Sequence, residues 1–272
     1  MKHLLVHILK LITIVLICIA LSGCSESKKH PVRLFRTKGT PLYITNVPTP
    51  TFEVPNYQTI GTYPQFYRQG VNLTKVNLAL QNLILNNQRQ FSVYAKQHLG
   101  FPGSGSGTYE TTMEGSFISA SSVLVSVLIP DLELYPAGND GAIWLSATIL
   151  VPSGKTIQLS DIFTNPEQGI KQLAQLAKTK LIAANSCVKE SLANPINGRD
   201  FATGFSPTKQ NYQFFALTTN GVAIGFPLGQ VGFPVCYRQE VTIPYSAITT
   251  YLNKLGLELA GAVRAPILLK HS

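Results

Sequence analysis

Histidine is scarce in this sequence, and the shortage limits what chemistry the chain can do. Of five histidines, His3 and His7 open the chain, His30 lies in a basic stretch and His271 is penultimate, which leaves His98 near predicted structure. Histidine is the usual general base at neutral pH, and at the end of a predicted helix His98 reads as a surface side chain favoured by the helix dipole. Zinc sites need three or four Cys, His or carboxylate ligands, commonly with two at short spacing, and neither HExxH nor CxxC occurs. A P-loop and a G-x-G-x-x-G turn are also absent, so no metal and no cofactor is expected. In Gly103-Ser104-Gly105-Ser106-Gly107, Gly105 stands where a nucleophile elbow needs its serine. Ser186-Cys187-Val188-Lys189 and Ser206-Pro207-Thr208-Lys209 fit S-x-x-K but lack the companion S-D-N and K-T-G motifs. No catalytic residue is assigned.

Long apolar runs are equally scarce. The one present, Leu11 to Leu21, follows Lys2 and Lys10 and ends in Leu21-Ser22-Gly23-Cys24. It is far shorter than the roughly 20 apolar residues that span hydrocarbon. It reads as a signal peptide, residues 1–23, closed by a lipobox. The small Ser22 and Gly23 let a peptidase reach the backbone, and the Cys24 thiol takes up diacylglycerol. The expected protein is a lipoprotein held to the membrane by lipid on Cys24, palmitate included, and facing away from the cytoplasm. Ser25 is not the aspartate that retains lipoproteins in a Gram-negative inner membrane. The outer membrane is therefore the expected site in such a cell, and the outer face of the cell membrane otherwise.

Acidic residues are few, 13 against 22 Lys and Arg, a formal charge of +9. Loss of Lys2 and Lys10 leaves 20 against 13, or +7. Lys28, Lys29, Arg33, Arg36 and Lys38 cluster between Glu26 and Glu53. Beside an anionic bilayer each adds about 1 kcal/mol of attraction; the alternative is a solvated tether. No recognition motif or stacking pattern accompanies the charge, so no nucleic-acid partner is expected.

Of four cysteines, Cys18 leaves with the signal peptide and Cys24 carries lipid, so Cys187 and Cys236 remain as a pair in an oxidising compartment. A disulfide there closes a loop of about fifty residues, worth roughly 3 to 4 kcal/mol in the loop-entropy model. Two buried thiols are the alternative.

The rest of the chain reads as follows. Residues 24–55 form a basic, Pro-rich tether, with order beginning near Leu42-Tyr43-Ile44. An N-terminal α+β half, residues 56–152, has a helix at Leu73 to Lys96 and strands at Thr108 to Ser119, Ser121 to Ile129 and Ala142 to Val151. A C-terminal half, residues 153–260, has a helix at Pro166 to Asn185, strands at Tyr212 to Thr218, Val222 to Phe226 and Cys236 to Ile243, and a terminal helix at Tyr245 to Leu255; residues 261–272 are a tail. Asn220-Gly221 favours the positive φ of a two-residue hairpin turn. The fold class is α+β, two helix-plus-antiparallel-sheet halves packed as one composite domain. Asp131 and Glu133, two apart and so on one face of a strand, lie near Asp140. They are candidate ligand contacts. As a carboxylate set they suit glycosidic chemistry, but a solvated rim on a turn is the preferred reading.

Certain residues of the second half carry a family likeness: Leu159-Ser160-Asp161-Ile162-Phe163, Phe214 through Asn220-Gly221-Val222-Ala223-Ile224-Gly225-Phe226, Gln230-Val231-Gly232 and Val241-Thr242-Ile243-Pro244-Tyr245. This resembles the RsiV-like domain, the extracellular domain of the anti-sigma-V factor. The first half, with Gly61-Thr62-Tyr63-Pro64-Gln65-Phe66 before a helix bearing Asn77, is similar to the region preceding it and to mycobacterial secreted immunogenic proteins. The resemblance covers roughly residues 40 to 260 and implies an α+β domain that binds rather than catalyses. In the anti-sigma factor it is a lysozyme receptor, and related modules precede peptidoglycan deacetylase domains. The family often has Gly-Gly-Ala-His where this chain has Asp140-Gly141-Ala142-Ile143, so that histidine's role does not carry over. The expectation is a non-enzymatic binding protein for a cell-envelope or host ligand, with contacts at exposed loops such as Gly103 to Gly107 and Pro136 to Gly141. Lysozyme is disfavoured because both surfaces are basic. The rival expectations are a peptidoglycan or glycan hydrolase using carboxylates, and a structural envelope protein binding anionic polymers.

Overall fold

The chain divides into Met1–His30 and Pro31–Ser272. The computed structural model describes residues 32–33, 42–51, 57–68, 73–97, 107–111, 116–134 and 141–263, all in the second unit. Cys24, His98, residues 103 to 106 of the Gly-Ser loop and residues 136 to 140 of the loop before β7 lie outside the described residues.

The larger sheet holds β1 (Val32–Arg33), β2 (Leu42–Pro48), β3 (Tyr57–Arg68), β4 (Gly107–Thr111), β5 (Phe117–Ala120), β6 (Leu124–Leu134), β7 (Gly141–Leu150) and β8 (Thr156–Ile157). It has eight strands in the order β1-β2-β3-β4-β6-β7-β8, with β5 beside β4 along the same edge of β6. Pairing is antiparallel except between β3 and β4, which helix α1 (Thr74–Gln97) joins as a parallel crossover. The smaller sheet has three strands, β11 (Gln239–Ile243), β10 (Gly221–Phe226) and β9 (Phe215–Thr218). Between β8 and β9 lie a 3-10 turn at Leu159–Ile162 and helices α2 (Pro166–Ala184), α3 (Ser186–Ala193) and α4 (Gly198–Thr203). Helix α5 (Lys254–Ala262) follows β11. The result is an α+β fold of two helix-on-sheet lobes packed together.

Packing order follows strand parity. On β6, Val125, Val127 and Ile129 face α1, where they meet Val76, Leu80 and Ile84 in one apolar cluster. Leu128 and Trp144 point the other way and meet Ala216 and Ala223 of the smaller sheet. The smaller sheet's opposite parity, Phe215, Leu217, Val222, Ile224 and Phe226, packs on Ile170, Leu173, Ala177 and Leu181 of α2. Four layers result: helix, sheet, sheet, helix. Helix α2 starts at Asn165, whose side chain accepts from the Gln168 N–H at 3.1 Å, with Pro166 in the first turn. It ends at Asn185, whose side chain accepts from the Val188 N–H at 3.3 Å and so caps α3. Cys187 and Cys236 are disulfide-bonded and tie α3 to the segment before β11. Beside this bond the Asn185 amide donates to Gln239 at 2.6 Å, and Gln239 in turn donates to the Cys236 carbonyl.

The sheets show how backbone groups at a strand edge are satisfied. Phe66 on β3 turns both its N–H and its C=O to the Asn77 amide on α1, at 2.9 and 3.0 Å. On β9, Leu217 donates to the Ser126 hydroxyl at 2.8 Å and accepts from the Ser119 hydroxyl. On β11 the Thr242 carbonyl takes Lys180 at 2.9 Å. Pro130, with no N–H to offer, falls opposite the gap where β5 has ended at Leu128 and β4 begins at Asp131.

The structure revises several sequence expectations. Residues 57–68, to which the sequence pattern assigns no element, form the longest strand of the larger sheet. The segment at Thr108 to Ser119 forms two strands, β4 and β5, rather than one. The smaller sheet's hairpin turns on Thr219 and Asn220, with Gly221 already paired to Thr218. Gly221 has φ +152 and a Cβ there would lie 2.0 Å from the Ile243 carbonyl oxygen, so β11's approach requires glycine. The terminal helix is replaced at Tyr245–Ala247 and Thr249–Tyr251 by 3-10 turns, and α5 starts only at Lys254, capped by Asn253.

Gly225 meets Trp144: an added Cβ would lie 2.5 Å from the indole Cγ. Gly225→Val is expected to lower stability by about 1–3 kcal/mol, the range for overpacking a filled core, read as a lower urea midpoint at unchanged slope. Cys187→Ser with Cys236→Ser is expected to cost about 3 to 4 kcal/mol. Reduction of the wild type should shift its thermal midpoint down and leave the double variant's unmoved.

Candidate functional site

Asp131 and Glu133 do not form a solvated rim. Asp131 continues the parity of Val125, Val127 and Ile129, so its side chain points under α1 and is fully buried, 0 % exposed. Here α1 presents amides instead of leucines. The Asn87 Nδ2 group donates to Asp131 Oδ2 at 2.8 Å and lies 3.0 Å from the Tyr109 hydroxyl, its second acceptor. Tyr109 also hydrogen-bonds the carboxyl, while Asp131 Oδ1 has no hydrogen-bond partner. Burial, reinforced by the charge of Glu133, holds the Asp131 carboxyl well above its usual range; Tyr109, Asn87 and Arg238 pull the other way without cancelling it. Burial likewise raises the Tyr109 phenol. Glu133, opposite Tyr109 and Gly141 in the ladder, is half-buried.

The same region holds more buried polar side chains. Thr111, 0 % exposed, shares a 2.6 Å hydrogen bond with Thr49, and buried Gln88 donates to the Pro50 carbonyl. These residues carry a sequence signal that alternation alone overlooked. The apolar stripe of α1 runs Val76, Leu80, Ile84 and resumes at Phe91 and Ala95, with Asn87 and Gln88 in the intervening turn. Amides at core positions of an amphipathic helix mark polar partners beneath it.

Asn87 also lines a cavity of about 440 Å³ between α1 and β7, together with Asn86, Gln90, Leu83, Ile143–Ser146, Gln213 and Phe214. A second cavity, of about 330 Å³, lies between β7, β8 and the segment Lys209 to Phe215. Ser146 and Gln213 line both, and the Ser146 hydroxyl donates to the Gln213 carbonyl at 3.2 Å. Lys209 is the one charged residue among the lining residues of the two cavities. Such walls suit a neutral, hydrogen-bonding ligand.

The S-x-x-K pairs fall at the start of α3 for Ser186 and Lys189, and on the loop after α4 for Ser206 and Lys209. Neither is joined by an acid-base partner in the hydrogen bonds of the described residues. Among the described residues no group of three or more His, Cys, Asp or Glu could hold a metal ion, and no helix is long and apolar enough to cross a membrane.

No family model matches the sequence, and no curated protein matches it either. Solved structures do. A DUF3298 family member from Bacteroides fragilis superposes with a TM-score of 0.50 at 13% identity, over 84% of this chain and 99% of its own. A DUF3298 family protein from Pseudomonas aeruginosa PAO1 gives 0.48 at 13% identity, over 83% and 96%. The chain has a distant structural relationship to the DUF3298 family, and at that identity the likeness is one of fold.

The buried acid yields a pH prediction with a definite sign. Asp131 has a higher pKa folded than unfolded, so its contribution to stability is fully present below the unfolded value. It is lost as pH rises through the folded value. Asp131→Asn keeps the shape and the hydrogen bonds of the neutral acid. The variant is expected to melt above the wild type at pH 8 and to converge with it near pH 4, in thermal unfolding measured across that range.

Proposed function

We propose that this chain is a lipid-anchored, extracytoplasmic binding protein, an RsiV-like domain carried on a lipoprotein tether. It recognises a cell-envelope polymer or a host protein and has no catalytic residue of its own. The burial of Asp131 carries the reading. The carboxylates that a glycan hydrolase would use must reach substrate, and the first of them lies under α1 in a hydrogen-bonded polar core. The other supports are independent: the lipobox at Cys24, a disulfide at Cys187 and Cys236 suited to an oxidising compartment, and a fold shared with the DUF3298 structure from Bacteroides fragilis. Lysozyme is the ligand the RsiV resemblance implies, and it must dock against the formal charge of +7 that remains once Lys2 and Lys10 leave with the signal peptide.

Calorimetry of the soluble mature chain from Ser25 against lysozyme at physiological salt, with a parallel peptidoglycan pull-down, tests the reading. Saturable binding to either is expected. Capture by neither, or turnover of peptidoglycan fragments that Glu133→Gln abolishes, would overturn it.

A further inference from the structure

The cavity between α1 and β7 has no charged residue in its lining, on a protein whose mature formal charge is +7. Its floor is closed: Trp144 and Leu145 are buried, and the segment of Gln213 and Phe214 lies against Ser146. The walls above that floor are open. Asn86, Gln90 and Gln213 are exposed, while Asn87, Ser146 and Phe214 are half-buried. Four amides and a hydroxyl thus share with an aromatic ring a cavity of about 440 Å³, a volume typical of small-ligand sites.

One of these amides is set in advance. The Asn87 amide nitrogen is committed beneath α1, to Asp131 at 2.8 Å and to Tyr109 at 3.0 Å. Both acceptors belong to the buried polar core, so the amide cannot turn over without losing both bonds. Among the described residues no hydrogen bond reaches the Asn87 Oδ1, which is therefore the polar atom this side chain offers to a ligand. A fixed, unused acceptor calls for a donor such as an amide N–H or a hydroxyl. The lining holds no carboxylate for a cation and no cationic donor for an anion. The other amides each carry donors and an acceptor, as hydroxyl groups require of their partners. Leu83 and Ile143 add apolar contacts, and the Phe214 ring adds a flat one.

We propose that this cavity binds a neutral saccharide bearing acetamido groups. An acetamido N–H donates to Asn87 Oδ1, its methyl rests on Leu83 and Ile143, and sugar hydroxyls bond Gln90 and Gln213. The C–H face of the sugar ring packs on Phe214. An extended peptide fits less well, because the floor is sealed at Trp144 and Leu145 and the walls present separate side-chain groups in place of a backbone ladder. The inference rests on reading the chain as a binding protein and names the class of envelope ligand that this cavity takes.

The test titrates chitotriose, a neutral chain of N-acetylated sugars, into the mature chain by calorimetry and NMR. Cellotriose, with hydroxyls in place of the acetamido groups, is the comparison. Chitotriose is expected to bind saturably at millimolar concentration or below. Cellotriose should bind roughly tenfold or more weakly, since it leaves the fixed acceptor and the methyl contacts unmatched. Gln90→Ala and Gln213→Ala remove exposed side chains and should fold, and each should weaken chitotriose roughly threefold to tenfold. On the unaltered protein, saturation transfer should be strongest at the acetamido methyl and the Asn87 side-chain amide signals should shift, which tests the site without any variant.

The inference is overturned if chitotriose does not bind, if cellotriose binds as tightly, or if binding ignores both variants and leaves the Asn87 signals unmoved. An uncharged peptide that shifts those signals where chitotriose does not would overturn it in favour of a peptide. Lysozyme or peptidoglycan capture without chitotriose binding would leave the binding function standing and remove this site. Chitotriose binding without either capture would do the reverse.

Discussion

The contact between the two sheets is the constraint on which the rest of the structure depends. Two pleated faces approach closely only if one of them is nearly bare of side chains. The smaller sheet provides that with Ala216, Ala223 and Gly225, and the larger fills the space with Leu128 and Trp144. Because these residues occupy alternate positions, the remaining positions of β9 and β10 must face α2, and the odd positions of β6 must face α1. One close approach therefore sets the order of all four layers. It also explains why serines sit in so dry a place: Ser119 and Ser126 meet the outward backbone groups of Leu217, which the approaching sheet would otherwise strip of water.

The same parity rule places an acid in the core. Asp131 lies where α1 has changed from leucine and isoleucine to Asn87 and Gln88, so the helix lays its apolar stripe over one half of the sheet and amides over the other. A buried carboxyl with one hydrogen-bonded oxygen is tolerable when neutral, and its surroundings favour that form. The polar core beneath α1 is thus continuous with the wall of the α1–β7 cavity, since Asn87 belongs to both. Whatever enters that cavity meets a side chain whose orientation is fixed from behind by Asp131 and Tyr109.

Edges tie the layers of this architecture together. A protein built from two sheets and short strands has many ends at which backbone groups lose their partners, and side chains from the neighbouring layer take most of them up. Phe66, Leu217 and Thr242 are each matched by such a side chain. Trp144 and Ser146 lie beyond the end of β8, which is only two residues long. The turn after β8 leads the chain away into the 3-10 turn and α2, and it returns at Gln213 and Phe214, where the Ser146 hydroxyl donates to the Gln213 carbonyl and Trp144 is buried against Phe214, Ala216 and Ala223.

The sequence by itself determined the secondary-structure types and their order over most of the described residues. Periodicity marked α1 and α2, alternation with β-branched residues marked β6, β7 and β10, and the compartment implied by the lipobox pointed to the bond between Cys187 and Cys236. These are local or compositional signals, each readable within a few turns of chain. Only the tertiary structure decided that residues 57–68 form a strand, since Gly61 and Pro64 weaken the local signal while pairing with β2 and β4 supplies the stabilisation. It likewise decided that Asp131 is buried and Asn87 holds it. Which face of a strand is covered depends on the element that packs there, and α1 reaches Asp131 from 44 positions away.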